Sequence, residues 1–163
     1  MPLSHPVLDQ HQVIAWDMDQ TLIGGPNSNF FRAYIKAHPE KRHHVVTFRD
    51  RRWAMEIWQE LTNCGDFRAK DAIKSVESCP EIIHNCYMVE FRTPQFREPF
   101  IASLKLTRDQ FNAHVQAFAY WKGLRASHIG ATLLVDDMPE WCLPGCEAHG
   151  IAFLNALEPW NPR

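Results

Sequence analysis

The sequence predicts an α/β fold built on a parallel sheet of about five strands flanked by helices. Short apolar runs typical of buried strands alternate along the chain with segments whose apolar residues recur at helical spacing. Strands that alternate with helices pair in parallel through right-handed crossover connections. The 163 residues, of which 45% are hydrophobic and 22% charged, correspond to one domain over 1–163 with a sizeable core.

The chain begins with a polar segment that leads into the first predicted strand. Residues 1–12 contain two prolines and are expected to form an N-terminal arm. The run VIAW at 13–16 is apolar at successive positions, which is typical of a strand covered on both faces. A helix is predicted over 27–37, because Asn or Ser can cap its start and His-Pro follows its end. The run HHVVTFR at 43–49 is the second predicted strand.

Further elements follow from the same two periodicities. Helices are predicted over 50–65, ending at a glycine, and over 67–77, because apolar residues recur three or four positions apart. A fourth helix is predicted over 107–121, where a Thr and a Gln at capping-box spacing mark its start. The apolar runs at 131–137 and 150–155 are predicted strands.

Residues 80–106 allow more than one interpretation. The stretch EIIHNCYMVEF at 81–91 suits either a strand or a helix that begins after Pro80, and 100–106 suits another strand. The segment is therefore either an insertion or the location of the third strand, and the sequence does not choose between them.

Polar side chains mark the points where predicted strands end. Asp17 and Asp19 follow the first strand, Thr47 lies near the end of the second, and Asp136 and Asp137 end the fourth. In open parallel sheets, ligands bind at the carboxyl ends of the strands. Carboxylates gathered there would repel one another, and a divalent cation removes that repulsion. Oxygen ligands without clustered histidines are typical of Mg²⁺, so we expect a magnesium site between these strands.

A magnesium ion beside a free carboxylate suits phosphoryl chemistry. One aspartate can attack phosphorus, while a carboxylate two residues further along faces the same way on an extended chain. The second carboxylate can protonate the leaving oxygen and then deprotonate a water. A hydroxyl and a cation should hold the other phosphate oxygens, and Thr47 and Lys122 can supply them.

These motifs together resemble those of the haloacid dehalogenase (HAD) superfamily of phosphohydrolases. The first motif of that family, an apolar strand followed by D-x-D-x-T, is matched by VIAWDMDQTL. The second, a strand ending in Ser or Thr, is matched by HHVVT, and the third, a lone lysine ahead of the fourth strand, by Lys122 in YWKGL. The fourth, a strand ending in acidic residues, is matched by TLLVDD.

The resemblance implies a Rossmann-like sheet, a catalytic Mg²⁺ and a role for each motif residue. Asp17 would be the nucleophile that becomes an aspartyl-phosphate. Asp19 would be the general acid and base, with its main-chain carbonyl on the metal. Thr47 and Lys122 would hold the phosphoryl group. The residues that would complete the metal site are Asp136 and Asp137.

The resemblance also bears on the reaction and on the size of the site. Family members that cleave carbon–halogen bonds or phosphonates lack a carboxylate at the place of Asp19, so phosphate esters are favoured. About 25 residues separate Thr21 from Thr47, and about 75 separate Thr47 from Lys122. These short insertions leave room for a minimal cap only. By family analogy, an open site admits nucleotides, polynucleotide ends or phosphoproteins, whereas a dimer could cover the site for a small metabolite.

Three arginines follow the second predicted strand. Arg49, Arg51 and Arg52 could bind a second phosphate, a nucleotide or a substrate carboxylate. A solvated first turn of a helix explains them equally well. Arg49 is the one that we expect to contact substrate.

The composition limits the partners and the compartment. A formal net charge of −2 gives no long-range attraction to nucleic acid, although nucleic acid stays a possible substrate. No apolar run approaches the ~20 residues that a membrane helix needs. The first residues lack the pattern of a secretory signal, so a cytoplasmic location is expected.

Two other functions remain open from the sequence. One is a HAD-like regulatory module that binds metal and phosphate without turnover. The other is a mutase or phosphotransferase whose acceptor is not water.

Overall fold

The fold is organised around a five-stranded, all-parallel sheet. A computed structural model describes residues 3–64 and 68–160. The sheet has the strand order β3-β2-β1-β4-β5 and a Rossmann-like architecture, which confirms the predicted fold class. The strands are β1 (Val13–Trp16), β2 (Arg42–Thr47), β3 (Ile73–Ser78), β4 (Leu133–Asp136) and β5 (Ala152–Asn155).

Helices cover the sheet from both sides. In the described part of the chain they are α1 (Ser28–Ala37), α2 (Ala54–Thr62), α3 (Ala69–Ala72), α4 (Glu81–Arg92), α5 (Arg97–Ser103), α6 (Arg108–His128) and α7 (Pro139–His149). Side chains of α1 and α2 form one hydrophobic cluster with β1, and side chains of α6 and α7 form a second.

The central strand β1 explains why its sequence is apolar at every position. Ile14 and Trp16 belong to the cluster on the α1 face, whereas Val13 and Ala15 belong to the cluster on the α6 face. All four side chains are buried. Because side chains alternate along a strand, Asp17 continues the set that faces α6.

The helix predicted over 67–77 is wrong in its second half. The helix α3 ends at Ala72, and Ile73–Ser78 form the edge strand β3, which pairs in parallel with β2. Ile73 and Val76 are β-branched and also fit a strand, and pairing with the backbone of β2 decides between the two structures. The start predicted for this helix and the end predicted at Gly65 lie outside the described residues.

Residues 80–106, for which the sequence allowed more than one interpretation, are mainly helical, and the third strand precedes them. The helix α4 follows Pro80, which agrees with one of the two interpretations of 81–91. The strand considered over 100–106 is wrong, because α5 occupies most of that stretch. Ile101 of α5 packs with Cys86 of α4 and Phe111 of α6 in a small hydrophobic cluster of their own.

Other predicted boundaries shift in ways that matter for the site. The capping box at Thr107 and Gln110 is confirmed, but α6 continues seven residues beyond position 121, to His128. β2 ends at Thr47, so Phe48 and Arg49 lie in the following loop. The helix α7 was not predicted. In the predicted arm, Leu8 is completely buried against the core.

Helices α6 and α7 approach each other closely at two glycines. A Cβ atom on Gly123 would lie 2.1 Å from the carbonyl carbon of Gly145, and one on Gly145 would lie 2.6 Å from the carbonyl oxygen of Tyr120. Glycine is therefore required at both positions of this crossing. The close contact with α7 fixes the part of α6 that carries Lys122. Among the described residues, no helix combines the length and the apolar character needed to cross a membrane.

Candidate active site at the carboxyl ends of the central strands

The polar ends of the three central strands meet at one edge of the sheet. Asp17 follows β1, Thr47 ends β2 and Asp136 ends β4, and all three side chains are buried. The Asp17 amide donates a hydrogen bond to the Val135 carbonyl, at an N–O distance of 2.8 Å, which ties the ends of β1 and β4 together. The structure therefore brings together the residues that the strand pattern predicted to be neighbours.

Lys122 lies between two of these carboxylates. Its Nζ atom is 2.6 Å from Oδ1 of Asp17 and 2.5 Å from Oδ2 of Asp136. Its side chain is 1% exposed. The helix predicted over 107–121 would end next to Lys122, where a lysine is often a solvated charge. In the structure α6 runs on to His128, and the Lys122 side chain lies in the interior. A solvated helix-end charge is therefore excluded.

Three carboxylates lie close enough to share one metal ion. Asp17, Asp136 and Asp137 each offer an oxygen, and these oxygens lie within 4.8 Å of one another. When all three are ionised, the single ammonium group of Lys122 does not balance their negative charges. Hard oxygen donors and excess negative charge fit a Mg²⁺ ion. The side chain of Asp19 is not in this group, and a metal contact through its main-chain carbonyl stays a prediction.

The environment of Asp17 shifts its pKa upward in the metal-free protein. Burial raises the pKa of Asp17 to about 7, and the nearby Asp136 carboxylate adds to this effect, whereas Lys122 opposes it. Burial and Asp136 also raise the pKa of Asp137 above its ordinary value. A bound cation would favour the ionised forms of both, so metal binding and deprotonation are coupled here.

The charge of Lys122 is stabilised by its neighbours. Burial alone would lower the pKa of Lys122, but the carboxylates of Asp17 and Asp136 outweigh burial and raise the pKa above its ordinary value. The ammonium also lies 4.4 Å from the centre of the Phe48 ring, within the range of a cation–π interaction. Lys122 is thus a fixed positive charge at the floor of the site.

Main-chain groups orient the remaining polar side chains. Oδ1 of Asp136 accepts a hydrogen bond from the amide of Met138 at 2.9 Å, which fixes that carboxylate in the turn before α7. Oγ1 of Thr47 accepts one from the amide of Arg49 at 3.1 Å. The Thr47 hydroxyl hydrogen is therefore free to point toward a substrate oxygen.

Asp19 lies on the open side of the site, in a tight loop that follows β1. The loop closes through a hydrogen bond of 2.7 Å from the amide of Gln20 to the carbonyl of Ile23. Gln20 has a φ angle of +59°, and a Cβ atom on Gly25 would lie 1.8 Å from the Gln20 carbonyl oxygen. The loop therefore requires glycine at position 25. This turn places Asp19 beyond the end of β1, where its side chain is 55% exposed.

Arg49, the predicted substrate contact, is bound by two carboxylates in the structure. Its guanidinium contacts Asp19 at 2.6 Å and 2.9 Å and Glu60 of α2 at 2.8 Å and 3.1 Å. Hydrogen bonds to both raise the pKa of Arg49 above its ordinary value. Glu60 had not been predicted near the site. Arg49 thus holds the Asp19 carboxylate against α2.

The other two arginines differ from Arg49. Arg52 pairs with Asp50 at 2.7 Å and reaches Glu81 at 3.3 Å, so it belongs to a solvated cluster. Arg51 lines a separate pocket at the edge of β3, beside Arg125 and Glu77. Neither lines the pocket that contains Asp17.

The site opens into a pocket of about 220 Å³. Its lining combines all seven predicted site residues with three apolar ones that the sequence did not reveal. These three are Phe48, Met138 and Trp141. Trp141 lies in the first turn of α7, and one sequence signal for this helix was present, the proline at its first position, Pro139.

Comparisons of the chain with protein-family models, with curated proteins and with solved structures find no match. The chemistry of the site is therefore the basis for assigning a function.

Proposed function

We propose that this protein is a Mg²⁺-dependent phosphomonoester hydrolase of the HAD type, which forms an aspartyl-phosphate on Asp17. The main support is the position of the Lys122 ammonium, buried between Asp17 and Asp136 at the floor of a pocket. A cation fixed beside the attacking carboxylate has the charge and the location to hold a phosphoryl group.

The first step transfers the phosphoryl group to the protein. An oxygen of the Asp17 carboxylate attacks phosphorus, and the bond between phosphorus and the organic group's oxygen breaks. Asp19 donates a proton to that leaving oxygen, so the alcohol departs neutral. Its position on the open side of the pocket suits contact with the departing group.

The second step releases phosphate. Asp19, now ionised, takes a proton from a water molecule, whose oxygen attacks phosphorus. The bond to the Asp17 carboxyl oxygen breaks, inorganic phosphate leaves, and both aspartates return to their starting forms. Between the two proton transfers, when Asp19 is ionised, Arg49 holds its carboxylate in place.

Other residues bind the oxygens that do not react. The Lys122 ammonium and the Thr47 hydroxyl donate hydrogen bonds to them as negative charge develops. Asp17, Asp136 and Asp137 would hold Mg²⁺, which when bound supplies positive charge that reduces repulsion between the phosphate and Asp17. Substrates are phosphorylated small molecules or nucleotides.

The proposal is tested by phosphate release from a panel of phosphate monoesters, with Mg²⁺ and with a chelator. We expect Mg²⁺-dependent turnover in the wild type and none in Asp17→Asn. Acid-quenched mass spectrometry should find one phosphoryl group on the peptide that contains Asp17. In Asp19→Asn, this species should accumulate with substrates whose leaving groups need no proton.

Three outcomes would contradict the proposal. Activity that survives Asp17→Asn would exclude Asp17 as the nucleophile. Binding of Mg²⁺ and phosphate without turnover of any ester would favour a regulatory module. Transfer of the phosphoryl group to an added alcohol in preference to water would favour a phosphotransferase.

A further inference from the structure

Two aromatic side chains, Phe48 and Trp141, form an aromatic wall in the lining of the pocket. The carboxylates and Lys122 line the same pocket, and the Lys122 ammonium lies 4.4 Å from the centre of the Phe48 ring. A site that only had to bind inorganic phosphate would need no such surface, since phosphate offers no apolar area. The wall therefore points to the organic part of the substrate.

The wall is held rigidly by rings behind it. Phe48 stacks on Phe118 with a centroid distance of 4.1 Å, and Phe118 stacks on Tyr87 at 3.8 Å. Trp141 lies nearly perpendicular to all three, at 5.7 Å, 5.3 Å and 5.9 Å from Phe48, Phe118 and Tyr87. Rings packed in this way keep their orientation, so their contact surface is preorganised for a ligand.

Trp141 is the member of the wall best placed to contact a ligand. The Phe48 ring is already engaged by Phe118 and by the ammonium of Lys122. Phe118 is completely buried, and Tyr87 does not line the pocket. Trp141 is only partly buried, lines the pocket and lies five positions after Asp136.

We propose that Trp141 recognises the substrate and that the substrate is a phosphate monoester bearing a nucleobase, whose planar ring packs against the indole. This inference rests on the proposed phosphatase function. Stacking of a base on an aromatic side chain contributes about 1–3 kcal/mol and tolerates different bases. The pocket is below the ~300–1,000 Å³ of drug-sized sites, so it encloses the phosphoryl group and part of the ring and leaves the rest in solvent.

The test compares kcat/KM for adenosine monophosphate with kcat/KM for glycerol phosphate. In the wild type, the ratio should favour the nucleotide. Trp141→Leu should lower this ratio about 10- to 100-fold, the change that loss of one stacking contact produces, whereas Trp141→Phe should keep most of it. Tyr120→Leu is the matched control, because Tyr120 is 48% exposed and outside the pocket, and its ratio should equal that of the wild type.

An unchanged ratio in Trp141→Leu would overturn the inference. This includes an equal loss of kcat/KM on both esters, in a variant whose circular dichroism and melting temperature match those of the wild type. If Trp141→Leu fails to fold, the ratio of the two kcat/KM values in Trp141→Phe decides. Because this variant keeps an aromatic ring, a fall of about 10- to 100-fold in its ratio would contradict recognition by stacking.

Binding to Asp17→Asn separates this inference from the phosphatase proposal. Calorimetry with Mg²⁺ and adenosine monophosphate should give an affinity that the added Trp141→Leu change lowers at least 10-fold. That result without wild-type turnover of any ester would leave nucleotide recognition standing and reject hydrolysis. Wild-type turnover combined with no effect of Trp141→Leu on nucleotide affinity would support hydrolysis and reject nucleotide recognition by Trp141.

Discussion

The Lys122 ammonium lies 2.6 Å from an Asp17 carboxylate oxygen, although 105 positions separate the two residues in the sequence. The same ammonium contacts Asp136 at 2.5 Å, so one helix residue joins the ends of two neighbouring strands. Because all three groups are buried, their charges interact with little screening by water. The site is therefore both the reactive centre of the proposed mechanism and a structural junction.

Replacing Lys122 by methionine should destabilise the metal-free protein. The change keeps the aliphatic volume but leaves Asp17 and Asp136 without their counter-ion. Removing one partner of a buried ion pair costs about 3–5 kcal/mol. Urea unfolding at neutral pH should show this loss, and added Mg²⁺ should recover part of it, because a bound cation replaces the missing positive charge.

Lys41→Met is the matched control for this measurement. Lys41 is also buried, but its ammonium donates to the main-chain carbonyls of Asp9 and His11 and not to the acidic cluster. The loss of unfolding free energy in Lys41→Met, relative to the wild type, should therefore be the same with and without Mg²⁺. If Mg²⁺ stabilised neither variant, a metal site beside Lys122 would be contradicted, because the acidic cluster is intact in Lys41→Met.

Arg49→Gln should reduce turnover by misplacing Asp19. The guanidinium holds the Asp19 carboxylate through two hydrogen bonds and is itself anchored by Glu60. Displacement of a catalytic group by about 1 Å can cost ~100-fold in rate, so kcat should fall about 10- to 100-fold while KM changes less. Steady-state kinetics on an ester with a poor leaving group is the appropriate assay, because that step needs the proton from Asp19.

Arg52→Gln provides the comparison for this experiment. Arg52 pairs with Asp50 and Glu81 outside the pocket, so kcat and KM should match those of the wild type. A rise in KM without a fall in kcat for Arg49→Gln would instead mean that Arg49 binds substrate directly.

Gly145→Ala should weaken the packing of α7 on α6. The added Cβ atom would lie 2.6 Å from the Tyr120 carbonyl oxygen, so the two helices must separate. Overpacking of this kind costs about 1–3 kcal/mol, and thermal unfolding should show a lower melting temperature. Ser127→Ala, at an exposed position of α6, should leave the melting temperature nearly unchanged. Equal melting temperatures for Gly145→Ala and the wild type would mean that the helices adjust at no cost.

Acid should destabilise the protein partly through His43. Its Nδ1 accepts a hydrogen bond from the Trp16 indole at 3.1 Å, and its Nε2 contacts the His38 carbonyl at 3.2 Å. Burial lowers the pKa of His43 to about 4 from an ordinary value of 6.5. The folded state therefore binds fewer protons than the unfolded state between these values, and stability falls as pH drops from about 6.5 to 4.

The contribution of His43 can be isolated by difference. Unfolding free energies of the wild type and His43→Gln should converge as pH falls through this window, by up to about 3 kcal/mol. His128→Gln, at the exposed end of α6, is the matched control for the loss of one histidine. Parallel curves for the wild type and His43→Gln would contradict a neutral, buried His43.

The convergence of the site could be predicted from sequence because few physical rules determine it. Adjacent parallel strands end at the same edge of the sheet, so Asp17, Thr47 and Asp136 had to lie near one another once the strands were identified. Side-chain alternation along β1 then turns Asp17 toward α6, where Lys122 lies.

Features that depend on tertiary packing could not be predicted. Ile73 and Val76 fit both a helix and a strand, and only pairing with β2 made this segment the edge strand β3. Glu60 reaches Arg49 because of how α2 docks, which local periodicity does not report. The position of Trp141 in the pocket required a helix that the apolar pattern of 139–149 marks only weakly.

The central position of β1 in the sheet also predicts which segment of the chain unfolds last. Its backbone pairs with β2 on one side and β4 on the other, whereas β3 and β5 at the two edges have a single neighbouring strand each. Amide protons of β1 should thus exchange with deuterium through global unfolding, and those of the outer strands through smaller openings. Asp17, the proposed nucleophile, would then extend from the slowest-exchanging segment of the chain, so local opening of the edge strands would leave its alignment intact.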